Sequence, residues 1–254
     1  MTENSDLISA LRVYNVHSNK LRIGHAYDGG YIVNDLIATN TKRLISIGIG
    51  TEDTFEVQWA EKFPTTIIEA YDGTYPCYNL CNQFPDRMNK NIFFVQSDVG
   101  FGEKQISLNT IVGNKEGILL KMDIDGGEYS TLNNLYPVDN LTGLILEIHD
   151  LNILGNCQKI VKLITENFKN LLLFHAHGNS HGGVFDLNLT PDARDSMPIN
   201  RFPNVLELTF ISKHLVNNYS IETGKFPTKG LDSSNRPDFT DIDLYWINDP
   251  SYQH

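Results

Sequence analysis

From Arg43 onward the apolar residues fall into short runs, each closed by glycine or an acid and followed by an amphipathic stretch. The runs Leu44 to Ile47, Thr66 to Tyr71, Ile92 to Gln96, Gly117 to Met122 and Leu144 to Ile148 read as buried strands. Helices fit between them at Phe55 to Lys62, Tyr75 to Phe84, Ser107 to Val112, Glu128 to Leu135 and Asn156 to Phe168. Strands alternating with helices at this spacing imply an α/β fold, with a mostly parallel sheet, right-handed crossovers and helices on both faces. Two later runs, Leu171 to His177 and Val205 to Ile211, are joined by a long polar loop containing Pro191, Pro198 and Pro203. With no helix between them they suit an antiparallel edge.

The flanks pattern differently. A first helix is expected over Leu7 to Val13, capped by Ser5 or Asp6, with Leu7, Ile8 and Leu11 on one face. Asp28-Gly29-Gly30 marks a tight turn between two extended pieces, Leu21 onward and Tyr31 to Val33. After Thr223 the chain is rich in Pro, Asp and Ser and reads as an irregular wrap ending in Leu244-Tyr245-Trp246-Ile247. The chain thus divides into an accessory segment over 1–40, a core over 41–215 and a wrap over 216–254, within one domain.

At 254 residues the chain can bury one sizeable core, and its net charge of −11 disfavours nucleic acid and anionic membranes as partners. The three cysteines, Cys77, Cys81 and Cys157, indicate no disulfide framework and favour a reducing compartment. No leader or membrane-length apolar run is visible, so the sequence reads as soluble and cytoplasmic. Homo-oligomerisation is compatible with this composition.

The candidate chemistry sits where the strands end, which in an open α/β sheet is where ligands bind. Gly48-Ile49-Gly50 after the first strand lets a ligand approach the backbone. Asp72-Gly73 closes the second strand and can accept the hydroxyls of a ribose, and Ser97-Asp98 closes the third, where an adenine would lie. Three consecutive strand ends are thus complementary to an adenosine. The glycine loop lacks the third glycine of the dinucleotide fingerprint, having Asp53 instead. An acidic loop suits an amino group and repels a pyrophosphate. The fourth strand runs into Asp123-Ile124-Asp125-Gly126-Gly127-Glu128, and the fifth ends in Glu147-Ile148-His149-Asp150. Asp125 and Glu128 have capping-box spacing.

The run Leu120-Lys121-Met122-Asp123-Ile124-Asp125-Gly126-Gly127-Glu128-Tyr129 resembles the signature of the FkbM family of S-adenosylmethionine-dependent methyltransferases. Ser46 to Gly50, Ala70-Tyr71-Asp72 and Leu146 to His149 follow that family's order over roughly residues 43–150. Asp28 to Tyr31, His175 to Asn179 and Val205 to Thr209 resemble segments of its sugar-modifying relatives less specifically. The sequence departs from the family at Asp72, where many members have Glu followed by Pro, and at Gly127, where Ala is commoner. The resemblance implies a Rossmann-like class I methyltransferase fold, S-adenosyl-L-methionine as cofactor, and O-methylation of a carbohydrate, such as a nucleotide-linked sugar or glycan precursor.

Methyl transfer to a sugar hydroxyl needs a positioned base, worth roughly 10²-fold to 10⁴-fold. His149 is the expected base, with Glu147 on the same strand face and Asp123 facing cofactor or substrate. Asp123, His149 and Asp150 form an alternative Mg²⁺ or Mn²⁺ ligand set. Asp125, Glu147, His175, His177 and Asn179 are expected to contact the acceptor. His175, His177 and His181 have zinc-like spacing, with acceptor binding the preferred reading. Two rivals are a dinucleotide-dependent sugar oxidoreductase and a non-catalytic nucleotide-sugar binding protein.

Overall fold

A computed structural model describes residues 3–133, 135, 140–153, 155–187 and 199–252. Its centre is a seven-stranded sheet made of β1 (Arg43–Ile47), β2 (Ile67–Tyr71), β3 (Ile92–Val95), β4 (Ile118–Met122), β5 (Leu141–Ile148), β6 (Leu171–Gly178) and β7 (Leu206–Ser212). The spatial order is β3-β2-β1-β4-β5-β7-β6. The first five strands are mutually parallel, while β7 pairs antiparallel with both β5 and β6. This is the Rossmann-like class I arrangement expected from the sequence, with an antiparallel pair finishing one edge. The order reverses between β1 and β4, so the crevice lies above the carboxyl ends of those two strands.

Alternation along each strand sends side chains to two cores. Ile45, Ile47, Leu120 and Met122 join the core that includes the first helix, whereas Leu44 and Leu119 join the one holding Phe55 and Trp59. Leu7 and Ile8 of the first helix and Leu11 just after it are buried together, as the sequence implied. That helix spans Glu3–Ala10, however, so positions 5 and 6 lie inside it and not at its start.

Several local features depart from the sequence reading. Only Asn79–Gln83 of the expected helix from Tyr75 to Phe84 is helical, because Asp72 ties down the backbone of Thr74 and Tyr75 in a turn. Cys77 and Cys81 are disulfide-bonded, against the expectation of free thiols; the turn into this short helix brings their Cα atoms to 5.7 Å, within bonding range. The helix after β5 is α-helical over Asn156–Lys162 and continues as a π turn through Leu163–Asn167.

Outside the sheet, Lys20–Gly24 pairs antiparallel with Gly30–Asn34 as the Asp-Gly-Gly turn predicts. Asn34 then caps an unforeseen helix, Asp35–Asn40, its Oδ1 accepting the Ile37 amide at 2.9 Å. Two further pairings link distant segments: Tyr14–Asn15 with Ser220–Ile221, and Val184–Leu187 with Ile199–Pro203. Pro191 and Pro198 of the long loop lie outside the described residues. Among those described, no helix is long and apolar enough to cross a membrane.

Candidate active site

The carboxyl ends of β1 to β4 open into a cavity of about 400 Å³ lined by Asp28, Gly48 to Glu52, Asp72 to Tyr75, Ser97, Asp98, Lys121, Asp123 and Asp125 among others. Two glycines of its first loop serve different ends. A Cβ on Gly48 would lie 1.6 Å from the Asp123 carbonyl, so this glycine lets the ends of β1 and β4 meet. Gly50 has φ +56° and faces open space, with nothing nearer than 4.0 Å to an added Cβ. It is the position that leaves room for a ligand.

Asp72 has another task than the ribose contact expected of it. One carboxylate oxygen accepts the Ile49 and Gly50 amides at 3.1 and 2.8 Å, and the other accepts those of Thr74 and Tyr75 at 2.8 and 2.7 Å. Four N–H donors occupy roughly all the acceptor sites of a carboxylate. Asp72 therefore staples the glycine loop to the turn after β2. Gly73 packs against the Asp98 carboxylate, which occupies the space a Cβ would need. Ser97 and Asp98 both line the cavity.

Lys121 sets the floor. Its ammonium is 3.1 Å from the Gly48 carbonyl and 3.5 Å from Glu56 Oε1, and lies over the Tyr31 ring. Glu56, fully buried, also accepts the Ser46 hydroxyl. Burial works against the charge on Lys121, but Glu56, Asp123 and Glu147 overcome it and hold the ammonium's pKa up.

Beside the cavity, behind the Asp123 and Asp125 that line it, Asp123, Glu147 and His149 come together as the two strand-end motifs imply. The Tyr31 hydroxyl lies 3.2 Å from Asp123 Oδ2 and 3.0 Å from Glu147 Oε2. A phenol has one proton, so it donates to only one of the two at a time. Burial, reinforced by neighbouring acids, raises Glu147 well above the carboxylate range; burial and Asp125 lift Asp123 to about 6 against the pull of Lys121 and His149.

His149 Nδ1 is 3.0 Å from Glu128 Oε1, and its Nε2 is 3.6 Å from Glu147, 3.8 Å from Asp125 and 3.9 Å from Asp123. Burial would lower this imidazole's pKa, yet the hydrogen bond and charge of Glu128, with Asp123 and Asp125, raise it. The capping box is half formed. Glu128 reaches back to the Ile124 and Gly126 amides, but Asp125, at φ +50°, turns its side chain out, 99% exposed, and caps nothing. Asp150 points away too: its carboxylate lies against Gly126 and lines a neighbouring cavity with Tyr129 and Lys159, apart from the Asp123 and His149 ligand atoms.

The histidines of β6 are not free to meet an acceptor. His175 is 2% and His177 1% exposed, both covered by the C-terminal wrap. His175 Nε2 bonds Asp232 at 2.9 Å, and His177 spans Glu207 at 3.0 Å and Asp241 at 2.8 Å. His181 is exposed and makes no cluster with them. These pairs also remove the zinc reading, since both ring nitrogens of His177 are taken. Asn179, 3% exposed, donates to Glu147 Oε1 at 2.7 Å and so orients that carboxylate.

Sequence reasoning gave no role to Asn235 and none to Glu207 individually, and read the Asp28 turn as either a plain turn or part of a site lining; the three complete this end, where Asn235 Nδ2 bonds Glu207 and lies 3.3 Å from Asp28 Oδ1. The signal for Glu207 was present, an acid in the middle of an apolar strand. For Asn235, in an irregular tail, there was none.

Neither a protein-family model nor a curated protein sequence matches this chain. Among solved structures, the chain is similar to a precorrin-6y C5,15-methyltransferase from Geobacter metallireducens GS-15, with 11% identity and a TM-score of 0.38 over 70% of this chain and 87% of that one. It is also similar to the plantazolicin methyltransferase BpumL, solved in complex with SAH, with 12% identity and a TM-score of 0.35 over 67% of this chain and 75% of that one.

Proposed function

We propose that the protein transfers a methyl group from S-adenosylmethionine to a hydroxyl of a carbohydrate, such as a nucleotide-linked sugar or glycan precursor, in the manner of the FkbM family. The observation that carries this reading is the charge of the cavity. Asp28, Glu52, Asp72, Asp98, Asp123 and Asp125 line it against a single lysine, Lys121, which is itself paired. Such a lining repels a pyrophosphate and favours a cationic ligand, here a sulfonium and an ammonium on one molecule. The volume lies within the usual range of small-molecule sites, roughly 300–1,000 Å³.

In this reading Ser97 and Asp98 serve the adenine end and the Gly48–Gly50 loop the methionine end, with Asp72 holding that loop. Bound there, the cofactor would supply an activated methyl group to the acceptor oxygen, whose proton His149, beside the cavity, would take. Read as general base from the sequence, His149 stands there with Asp123 and Glu147. Asp28 and Asp125, which line the cavity on that side, offer carboxylates to sugar hydroxyls, while Tyr31 and Asn179 fix Glu147 behind them.

Calorimetry with S-adenosylhomocysteine and with NAD tests the donor. Binding of the former is expected, and His149→Ala should leave it within about twofold while lowering turnover by roughly 10²-fold or more. NAD binding without S-adenosylhomocysteine binding would establish the oxidoreductase alternative; S-adenosylhomocysteine binding with no methylation across a panel of nucleotide sugars would remove the carbohydrate acceptor.

A further inference from the structure

We infer that the cavity between the helices following β4 and β5 is a second binding site, built for a small molecule that carries a phosphate beside a planar or apolar group. Its volume is about 750 Å³, inside the usual range of small-molecule sites, roughly 300–1,000 Å³. One wall is the face of Glu128–Asn133 that bears Tyr129 and Ser130, and the other is the face of Asn156–Lys162 that bears its two lysines.

Charge sets this cavity apart from the first. Six acids line the first against Lys121, which is paired, in a chain of net charge −11. Here Lys159 and Lys162 stand with one acid, Asp150, whose carboxylate lies against Gly126. Three residues apart on one helix, the two lysines share a side. Neither makes an ion pair among the described residues. Lys159 is nonetheless held in place: its Nζ donates to Oδ1 of buried Asn156 at 2.9 Å and stands 5.4 Å from the centre of the Tyr129 ring. An ammonium has three donors, and a carboxamide oxygen leaves its charge uncompensated, so Lys159 still offers two N–H groups and a full charge to an anion.

The rim supplies a second, independent observation. Phe101 and Ile153, large apolar side chains 50% and 53% exposed, both line this cavity. Apolar surface left in water around a polar pocket marks a place where a ligand is covered. A planar group can lie on Phe101 while the phosphate it carries meets the lysines.

The two cavities share a wall. Asp125 and Gly127 line the first, and Gly126 lines the second. Behind them His149 turns Nε2 toward Asp123 and Asp125, while its carbonyl accepts the Tyr129 hydroxyl at 2.6 Å. An acceptor whose phosphate the acidic cavity repels would rest that charge on Lys159 and Lys162 and pass its hydroxyl over the 125–127 turn. This role rests on the methyl-transfer reading, whereas the binding of phosphate does not.

The test is calorimetry of the full-length protein with inorganic pyrophosphate and with uridine 5′-diphosphate, each in the presence and absence of S-adenosylhomocysteine. Both probes should bind at one saturable site, the nucleotide about tenfold more tightly because its ring covers the rim. Lys159→Ala and Lys162→Ala, both at exposed positions, should each weaken both probes by about tenfold. Phe101→Ala should weaken the nucleotide alone. The proposal is overturned by no saturable binding, by lysine variants within about twofold of the parent, by a nucleotide no tighter than pyrophosphate, or by displacement of the probes by S-adenosylhomocysteine, which would put them in the first cavity. S-adenosylhomocysteine bound without either probe sinks only the second site, and probes bound without S-adenosylhomocysteine sink only the donor reading.

Discussion

Single side chains in this molecule are defined by how many partners they hold, more than by their type. Asp72 closes a strand where the sequence suggests a cofactor contact, yet by hydrogen bonding it is a loop staple, because four amides reach it first. His177 is the sharpest case. Burial alone would depress its pKa, but Glu207 and Asp241, with Asp232 nearby, overcome this and lift it to about 10. The folded value thus exceeds that of the unfolded chain, near ~6.5. Its contribution is complete below about pH 6.5 and is lost as pH rises toward 10. Thermal midpoints should fall across that window, and His177→Gln should start lower at pH 7 and lose most of the slope. Parallel pH profiles for the two proteins would contradict the assignment.

At the scale of elements, the loop after β1 borders the cavity and the contact between β1 and β4 holds the loop in place. The two glycines separate these tasks. Gly48→Ala puts a methyl into the Asp123 carbonyl and forces the strand ends apart, so the protein should be strongly destabilised or insoluble. Gly50→Ala meets no atom closer than 4.0 Å and carries only the strain of a left-handed residue, about 1–2 kcal/mol. It should fold with a modestly lower midpoint and lose S-adenosylhomocysteine affinity by tenfold or more, since the new methyl faces the cavity. Equal loss of stability in both variants, read by thermal denaturation, would show that the loop has no separate ligand face.

Across the whole molecule, the C-terminal wrap is tied to the antiparallel edge of the sheet by buried polar pairs. Asp232 joins His175 and the Thr228 amide, Asp241 joins His177, and Asn235 joins Glu207. Phe226 and Leu244 are buried beside them. Removing Asp232 leaves a buried imidazole without its acceptor, a loss of about 1–3 kcal/mol. Asp232→Ala should therefore lower the thermal midpoint by roughly 2–10 °C. Asp238→Ala, which breaks only an exposed pair with Arg236, should not move it. Equal midpoints for the Asp232 variant and the parent protein would mean that the wrap is held by its apolar residues alone.

The sequence by itself determined the parallel sheet, its helices and the strand ends where the acids gather, because local periodicity and strand-end punctuation are short-range signals. It brought Asp123, Glu147 and His149 to one crevice, since neighbouring parallel strands present their ends side by side. Only the tertiary structure decided what each residue does there. The spent carboxylate of Asp72, the outward turn of Asp125 and the burial of His175 and His177 depend on partners up to 64 residues away in the chain. Asn235, 207 residues from Asp28, could be placed beside it only by the fold. A hydrogen-bonding group is assigned by whatever reaches it first in space, and the order of the chain does not encode that.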